Sequence, residues 1–127
     1  MFKSKKITSS QNSQIKQVVK LRDKRERDRT DTFLIEGYRE IIRALKGGIT
    51  FKRLFYSQEH FLGSNENKVL EEVYRQKGEL LELSSHIFEK ISYRDRPDGL
   101  LGIASQRHPS LDILKKNHTP FLLIAES

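Results

Sequence analysis

One change of hydrophobic period constrains the fold of this chain more than any other feature. Residues 32–35 (TFLI) form a short β-branched and aromatic run, which is typical of a buried strand. From Gly37 the apolar residues recur at helical spacing, at Tyr38, Ile41, Ile42 and Leu45. The sequence therefore predicts a strand that leads directly into an amphipathic helix.

Glu36 lies at this junction, and two interpretations of its carboxylate stay open. It could cap the helix that follows, because the free N–H groups and the dipole of a helix N-terminus favour a negative charge. Alternatively, it could hold a binding partner. We favour the cap.

Strands and helices alternate along the rest of the chain. Further strands are predicted at residues 51–57, 79–83 and 100–104. Helices are predicted around residues 69–74, where Gly78 closes the helix, and after Ser84 or Ser85. This alternation predicts an α/β fold, a three-layer α/β/α sandwich with a four-stranded, largely parallel or mixed sheet.

The charge of the chain is concentrated at its N-terminus. The 127 residues carry a net charge of +7. Residues 1–30 contain ten Lys or Arg and three acidic residues, whereas the remainder contains fourteen of each sign. A segregated positive charge favours a polyanionic partner, and nucleic acid is the partner that we expect.

The N-terminal basic region is predicted as one helix over residues 12–30, capped by Asn12 or Ser13. Opposite charges at i, i+4 support its continuation beyond the last apolar residue, Leu21. Phosphate contact and a solvated, self-paired helix end are the two interpretations, and we favour contact. No aromatic residue is interleaved, so base stacking is not indicated in this region. The candidate phosphate contacts are Lys20, Arg22, Lys24, Arg25, Arg27 and Arg29.

A second candidate site is the loop over residues 93–99 (YRDRPDG). Arg94 and Arg96 are spaced two apart beside a tyrosine, and loops held between rigid elements often bind ligands. The alternative is a surface turn in which Arg and Asp side chains pair with each other.

Several kinds of chemistry are not indicated. The chain has no Cys, and His60, His86, His108 and His118 lack metal-ligand spacing. There is no nucleotide-binding glycine motif and no nucleophile elbow. We therefore predict no catalytic residue, no metal site and no cofactor site in this chain. The absence of membrane-spanning or signal-like runs and of Cys leads us to expect a cytoplasmic location.

The C-terminal composition differs from that of the preceding domain. Residues 107–120 are predicted to be a linker, and residues 121–127 begin with five apolar residues, FLLIA. Such a run is typical of a strand buried on both faces. We interpret it as the first strand of a further, truncated α/β domain.

Four segments together resemble the N-terminal half of RNA ribose 2'-O-methyltransferases of the SpoU family: residues 7–21, 32–48, 92–104 and 121–127. Glu36, Gly37 and Arg39 match the family's strand-Glu-Gly-helix motif. The turn and last strand of the family's substrate domain match at Pro97, Asp98, Gly99 and Gly102. Ser13 stands where the family often has a proline.

The resemblance implies a function for residues 1–106 as an RNA substrate-binding domain, similar in fold to kink-turn-binding ribosomal proteins. The implied partner is structured RNA, either ribosomal or transfer RNA, bound by the six basic residues above together with Arg39, Arg94 and Arg96. S-adenosylmethionine would bind in the parent's knotted catalytic domain, through which the parent would form a homodimer. This segment alone would be inactive.

Two other classes of function stay open. One is a free-standing structured-RNA-binding or ribosome-associated protein without catalysis. The other is a protein-interaction domain whose basic helix docks on an acidic surface.

Overall fold

The computed structural model of the protein describes residues 3–106. Five strands are present, namely β1 (Lys5–Ile7), β2 (Thr32–Glu36), β3 (Phe51–Tyr56), β4 (Glu79–Leu83) and β5 (Leu100–Ser105). Five α-helices lie between them, two after β1 and one after each of β2, β3 and β4, namely α1 (Ser13–Lys20), α2 (Lys24–Thr30), α3 (Tyr38–Lys46), α4 (Glu66–Arg75) and α5 (Ser85–Ile91). A 3₁₀ turn, Gln58–His60, follows β3.

The strands form one mixed sheet in the order β1-β4-β3-β5-β2. β1, β4 and β3 pair in parallel, while β5 lies antiparallel between β3 and β2. The predicted fold class is confirmed, with one strand more than expected. The additional strand, β1, has three residues of which only Ile7 is buried, so it carries no alternation of apolar and polar residues.

Helices cover both faces of the sheet. Side chains alternate along each strand, so neighbouring residues of β3 serve opposite layers. Phe55 packs with Val18 of α1 and Phe88 of α5 in one apolar cluster. Leu54 belongs to the other cluster, with Ile41 of α3 and residues of α4. The sandwich therefore has two cores separated by a single sheet.

The predicted helix over residues 12–30 is wrong in one respect, because the chain forms two helices. Asn12 caps α1, as predicted, by accepting a hydrogen bond from the Gln14 amide at 2.8 Å. The break follows buried Leu21, where Asp23 adopts an extended conformation and accepts a hydrogen bond from the Arg25 amide at 2.9 Å. Asp23 thus acts as an N-cap that starts a second helix instead of continuing the first.

Two predicted segments, the linker over residues 107–120 and the strand over residues 121–127, lie outside the described residues. Among residues 3–106, no helix has the length and apolar character needed to cross a membrane.

Candidate nucleic-acid interface

The basic segment, residues 20–29, spans the end of α1, the turn and most of α2. Two of its six predicted contact residues are paired with acids of the same helix. Lys24 contacts Asp28 at 2.7 Å, and Arg29 contacts Glu26. A hydrogen bond from Arg29 lowers the pKa of Glu26, and one from Lys24 lowers the pKa of Asp28. These pairs agree with the self-paired alternative for part of the segment.

Two further arginines of the segment hold the backbone. The Arg27 guanidinium donates to the carbonyl oxygens of Leu21 and Arg22, at 2.9 and 2.8 Å. Arg22 donates to the carbonyl oxygen of Ile91 at 3.2 Å. Arg27 therefore closes the turn between α1 and α2, and Arg22 ties that turn to the end of α5.

Lys20 and Arg25 remain available for an external anion. Both are exposed, and within residues 3–106 neither side chain forms a hydrogen bond or an ion pair. They lie at either end of the turn that Arg27 closes. The free charge of the basic segment is thus concentrated at this turn.

An aromatic residue from a distant part of the sequence joins the basic segment. The Arg22 guanidinium lies over the ring of Tyr93, 4.6 Å from its centroid, which is a cation–π geometry. No aromatic residue is interleaved in the basic segment, as the sequence indicated, but the fold brings Tyr93 beside it. No sequence pattern indicates the contact, because it forms only when the loop after α5 packs beside the end of α1. The two regions predicted separately, the basic segment and the 93–99 loop, form one continuous surface.

Glu36 does not cap α3, so the interpretation that we favoured is wrong. Its carboxylate accepts a hydrogen bond from the Ser92 hydroxyl and one from the Tyr93 amide, the latter at 2.8 Å. A carboxylate at the end of β2 thereby fixes the start of the 93–99 loop. Glu36 positions Tyr93, and the N-cap position of α3 is occupied by Gly37, which has no side chain to donate or accept.

The cap of α3 comes instead from Asp98, far along the chain. One carboxylate oxygen of Asp98 accepts a hydrogen bond from the Tyr38 amide at 2.8 Å, and only 9% of the residue is exposed. The role that we expected of Glu36 is therefore filled by the Pro97-Asp98-Gly99 turn. This cross-chain cap gives the matched motif residue Asp98 a physical role.

Arg94 is held between these groups. Its guanidinium donates to the Glu36 carbonyl oxygen and contacts the Glu40 carboxylate, both at 2.9 Å, and lies 3.8 Å from Asp98. A hydrogen bond within Glu40 itself, followed by the contact with Arg94, lowers the pKa of Glu40. For Arg94 the geometry matches the alternative of an internally paired surface turn, and its contact with RNA stays a prediction.

Arg39 and Arg96 share an open cleft of about 540 Å³ with Arg94. Both are exposed, and neither has a hydrogen bond or an ion pair in the part of the chain that the structure describes. Three carboxylates also line the cleft, those of Glu40, Glu66 and Asp98, and they balance the three guanidinium groups. The cleft is therefore close to neutral, unlike the turn that carries Lys20 and Arg25.

Close packing explains two glycines of the matched motifs. Gly37 has a φ of +106°, and a Cβ atom there would lie 2.4 Å from the Arg94 guanidinium. Gly102, within β5, lies under the Phe51 ring, and a Cβ atom would meet that ring at 2.5 Å. A side chain at either position would displace Arg94 or a core aromatic.

No group of three or more His, Cys, Asp or Glu side chains that could hold a metal ion occurs among residues 3–106. The expected absence of a metal or cofactor site concerns the whole chain and stays a prediction.

Together the three-layer sandwich and its basic surface define a small α/β domain in which a positively charged turn adjoins an anchored loop.

Comparison with known proteins agrees with this description. A family model described as the MRM3-like substrate binding domain matches residues 12–102. The chain belongs to this family, and the resemblance predicted from its sequence is confirmed. Comparison with curated proteins gave no match.

Solved structures share the fold. An rRNA methyltransferase from Sinorhizobium meliloti matches with a TM-score of 0.72 and 30% identity, covering 83% of this chain and 38% of that one. An RNA 2'-O ribose methyltransferase matches with a TM-score of 0.69 and 38% identity, covering 84% and 39%. The SpoU methyltransferase AviRb from Streptomyces viridochromogenes, at 22% identity and a TM-score of 0.62, covers 80% and 36% and shares the fold. The chain thus spans about two fifths of each of these three proteins.

Proposed function

We propose that this chain is the RNA-recognition part of an S-adenosylmethionine-dependent RNA ribose 2'-O-methyltransferase. Residues 3–106 bind structured RNA, with ribosomal RNA as the first candidate and transfer RNA as the second. The methyl donor binds to a separate catalytic domain of the parent protein, which dimerises through that domain. The segment by itself transfers no methyl group.

The observation that carries this proposal is the match of residues 12–102 to a substrate-binding domain, since those residues include both the basic segment and the 93–99 loop. The distribution of charged residues along the chain supports the proposal independently. Residues 3–30 carry ten basic and three acidic side chains, whereas residues 31–106 carry eleven and twelve. The surface built from α1 and α2 is therefore the part of the domain that attracts a polyanion.

The structure of a similar protein with bound S-adenosylmethionine supports the cofactor part of the proposal. An AdoMet-bound rRNA methyltransferase from Sinorhizobium meliloti matches with a TM-score of 0.71 and 30% identity, covering 84% of this chain and 41% of that one. The cofactor belongs to that protein. For the present chain, S-adenosylmethionine is assigned to the parent's remaining part.

Titration of the 127-residue chain with ribosomal RNA fragments and transfer RNA, at several salt concentrations, tests the proposal. The double substitution Lys20→Gln and Arg25→Gln should weaken binding and flatten its salt dependence. Removal of one phosphate contact reduces the slope of log K against log salt by roughly 0.9 for duplex or 0.7 for single strands. Both side chains are exposed and form no hydrogen bond or ion pair among residues 3–106, so the melting temperature should hardly change.

The matched control is Lys46→Gln with Lys68→Gln, which removes the same charge from exposed positions of α3 and α4. These helices cover the opposite face of the sheet from α1. Equal decreases in affinity for both double variants would point to non-specific attraction and overturn the assignment of the surface. Absence of RNA binding, or tighter binding of an acidic protein at the same salt, would overturn the RNA partner. Binding of S-adenosylmethionine to this chain in calorimetry would overturn the division between recognition and catalysis.

A further inference from the structure

Tyr93 is an exposed aromatic residue whose backbone is fixed. More than half of the residue, 55%, is open to solvent. Its amide donates to the Glu36 carboxylate at 2.8 Å, and the next side chain, Arg94, donates to the Glu36 carbonyl oxygen at 2.9 Å. The Arg94 amide in turn donates to the Ser92 hydroxyl at 3.0 Å. The ring is therefore presented to solvent from an anchored loop.

Arg22 fixes one side of the ring. Its guanidinium is held by the carbonyl oxygen of Ile91 at 3.2 Å and lies 4.6 Å from the ring centroid. A planar guanidinium and an aromatic ring are both surfaces on which nucleobases stack. Because both groups are held before any ligand arrives, little side-chain freedom is lost when a base binds.

A shallow depression adjoins the ring. It has a volume of about 410 Å³ and is lined by Leu21, Arg27, Phe33, Leu34 and Tyr93. Its walls are apolar and aromatic except for the Arg27 guanidinium. A flat heterocycle beside Tyr93 would cover apolar surface while leaving its polar edge within reach of a cation.

The surrounding charge favours a nucleotide as the occupant. Lys20 and Arg25, whose side chains form no hydrogen bond or ion pair among residues 3–106, flank the turn that contains Arg22. Nucleotides offer a base and a phosphate in alternation, which matches an aromatic ring beside free cations. In double-stranded RNA the bases are already stacked on one another, so only an unpaired base can reach an external ring.

We propose that an unpaired nucleobase of the RNA stacks on Tyr93 beside Arg22, while Lys20 and Arg25 contact the neighbouring phosphates. This inference rests on the proposed RNA-binding function and deepens it. The RNA recognised by this domain has a loop, bulge or other single-stranded nucleotide at the Tyr93 surface.

The experiment compares two substitutions at one position in the 127-residue chain. Tyr93→Leu removes the aromatic ring and keeps an apolar side chain, whereas Tyr93→Phe keeps the ring. The probes are an RNA hairpin with 2-aminopurine in its loop and a fully paired RNA duplex of equal charge. The wild-type chain and Tyr93→Phe should bind the hairpin more tightly than the duplex and change the 2-aminopurine fluorescence.

Tyr93→Leu should bind the hairpin roughly 5- to 150-fold more weakly, the range that corresponds to one base stacked on an aromatic ring. Its binding to the duplex and its salt dependence should stay unchanged, because the phosphate contacts remain. Unfolding in urea serves as the folding control for both variants.

Equal hairpin affinity of Tyr93→Leu and wild type would overturn the stacking site and leave the proposed function intact. Equally weakened binding by Tyr93→Leu and Tyr93→Phe would overturn it as well, and complete absence of salt-dependent RNA binding would overturn both proposals.

Discussion

At the scale of single residues, arginines that look equivalent in the sequence have different roles. Arg25 is free among residues 3–106, Arg27 closes a turn, Arg22 lies on an aromatic ring, and Arg94 is held by Glu40 and a backbone carbonyl oxygen. A count of basic residues therefore overstates the number of cations available to an external phosphate. Stability measurements can separate the structural arginines from the free ones.

Arg27→Gln should destabilise the domain by about 1–3 kcal/mol, because two backbone carbonyl oxygens at the α1–α2 turn lose a charged donor. Urea unfolding followed by circular dichroism measures the change. The control is Arg25→Gln, which removes an exposed cation of the same helix and should alter stability by less than about 0.5 kcal/mol. Similar stability of the two variants would count against the turn-closing role of Arg27.

At the scale of elements, the first turn of α3 depends on a carboxylate that arrives from the other end of the described chain. Asp98 accepts the Tyr38 amide, and the glycine at the junction, Gly37, supplies no side-chain cap. Because the N-cap of α3 belongs to this distant turn, a change in the position of the turn also affects the start of the helix.

Asp98→Ala should therefore lower stability by about 1–2 kcal/mol, the usual cost of losing an N-cap. Loosening should be greatest at the start of α3 and in the 93–99 loop, where hydrogen exchange of the backbone amides would detect it. Asp95→Ala is the control, because Asp95 is an exposed acid of the same loop whose side chain has no hydrogen bond or ion pair with any described residue. Unchanged exchange at the Tyr38 amide in Asp98→Ala would contradict the cross-chain cap.

The elements are easier to predict from the sequence than the contacts between them. The strand-to-helix change at Gly37 is predictable because side-chain period is a local property, and β2 and α3 form where it indicates. The break before α2 escapes prediction because opposite charges at i, i+4 suit a continuous helix, whereas Asp23 also suits a new N-cap. The pairing of Glu36 with Ser92, and of Arg22 with Tyr93, depends on tertiary packing that no local pattern encodes.

At the scale of the whole molecule, one carboxylate links three parts of the sandwich. Glu79 at the start of β4 contacts Lys5 of β1 at 3.2 Å and Arg53 of β3 at 3.0 Å, and accepts from Gln14 of α1 at 3.1 Å. Burial acts to raise the pKa of Glu79, but the hydrogen bonds and charges of Lys5 and Arg53 outweigh it and lower the pKa from its ordinary value of 4.5.

Because the folded-state pKa of Glu79 is lowered, its contribution to stability is present above pH 4.5 and is lost as the pH falls through the folded-state pKa. Glu79→Gln should thus be less stable than wild type at pH 7, by up to about 1 kcal/mol for this partly exposed network. The difference should become smaller at an acidic pH well below 4.5, because wild-type Glu79 then increasingly takes up a proton and loses its charge. Urea midpoints at both pH values measure it, with Glu71→Gln on α4 as an exposed control. A difference that persists at low pH would show that packing, and not charge, makes Glu79 stabilising.

The position of β5 has a consequence for how the chain folds during synthesis. β1, β4 and β3 can pair once residue 83 has emerged from the ribosome, but the neighbour of β2 is β5, which ends at residue 105. A nascent chain therefore holds β2, and α2 packed beside it, without a sheet partner until the last described strand emerges. The loop that presents Tyr93 is anchored on the end of β2, so this surface is completed last. The surface that we propose for RNA binding is thus complete only once the chain has emerged as far as residue 105.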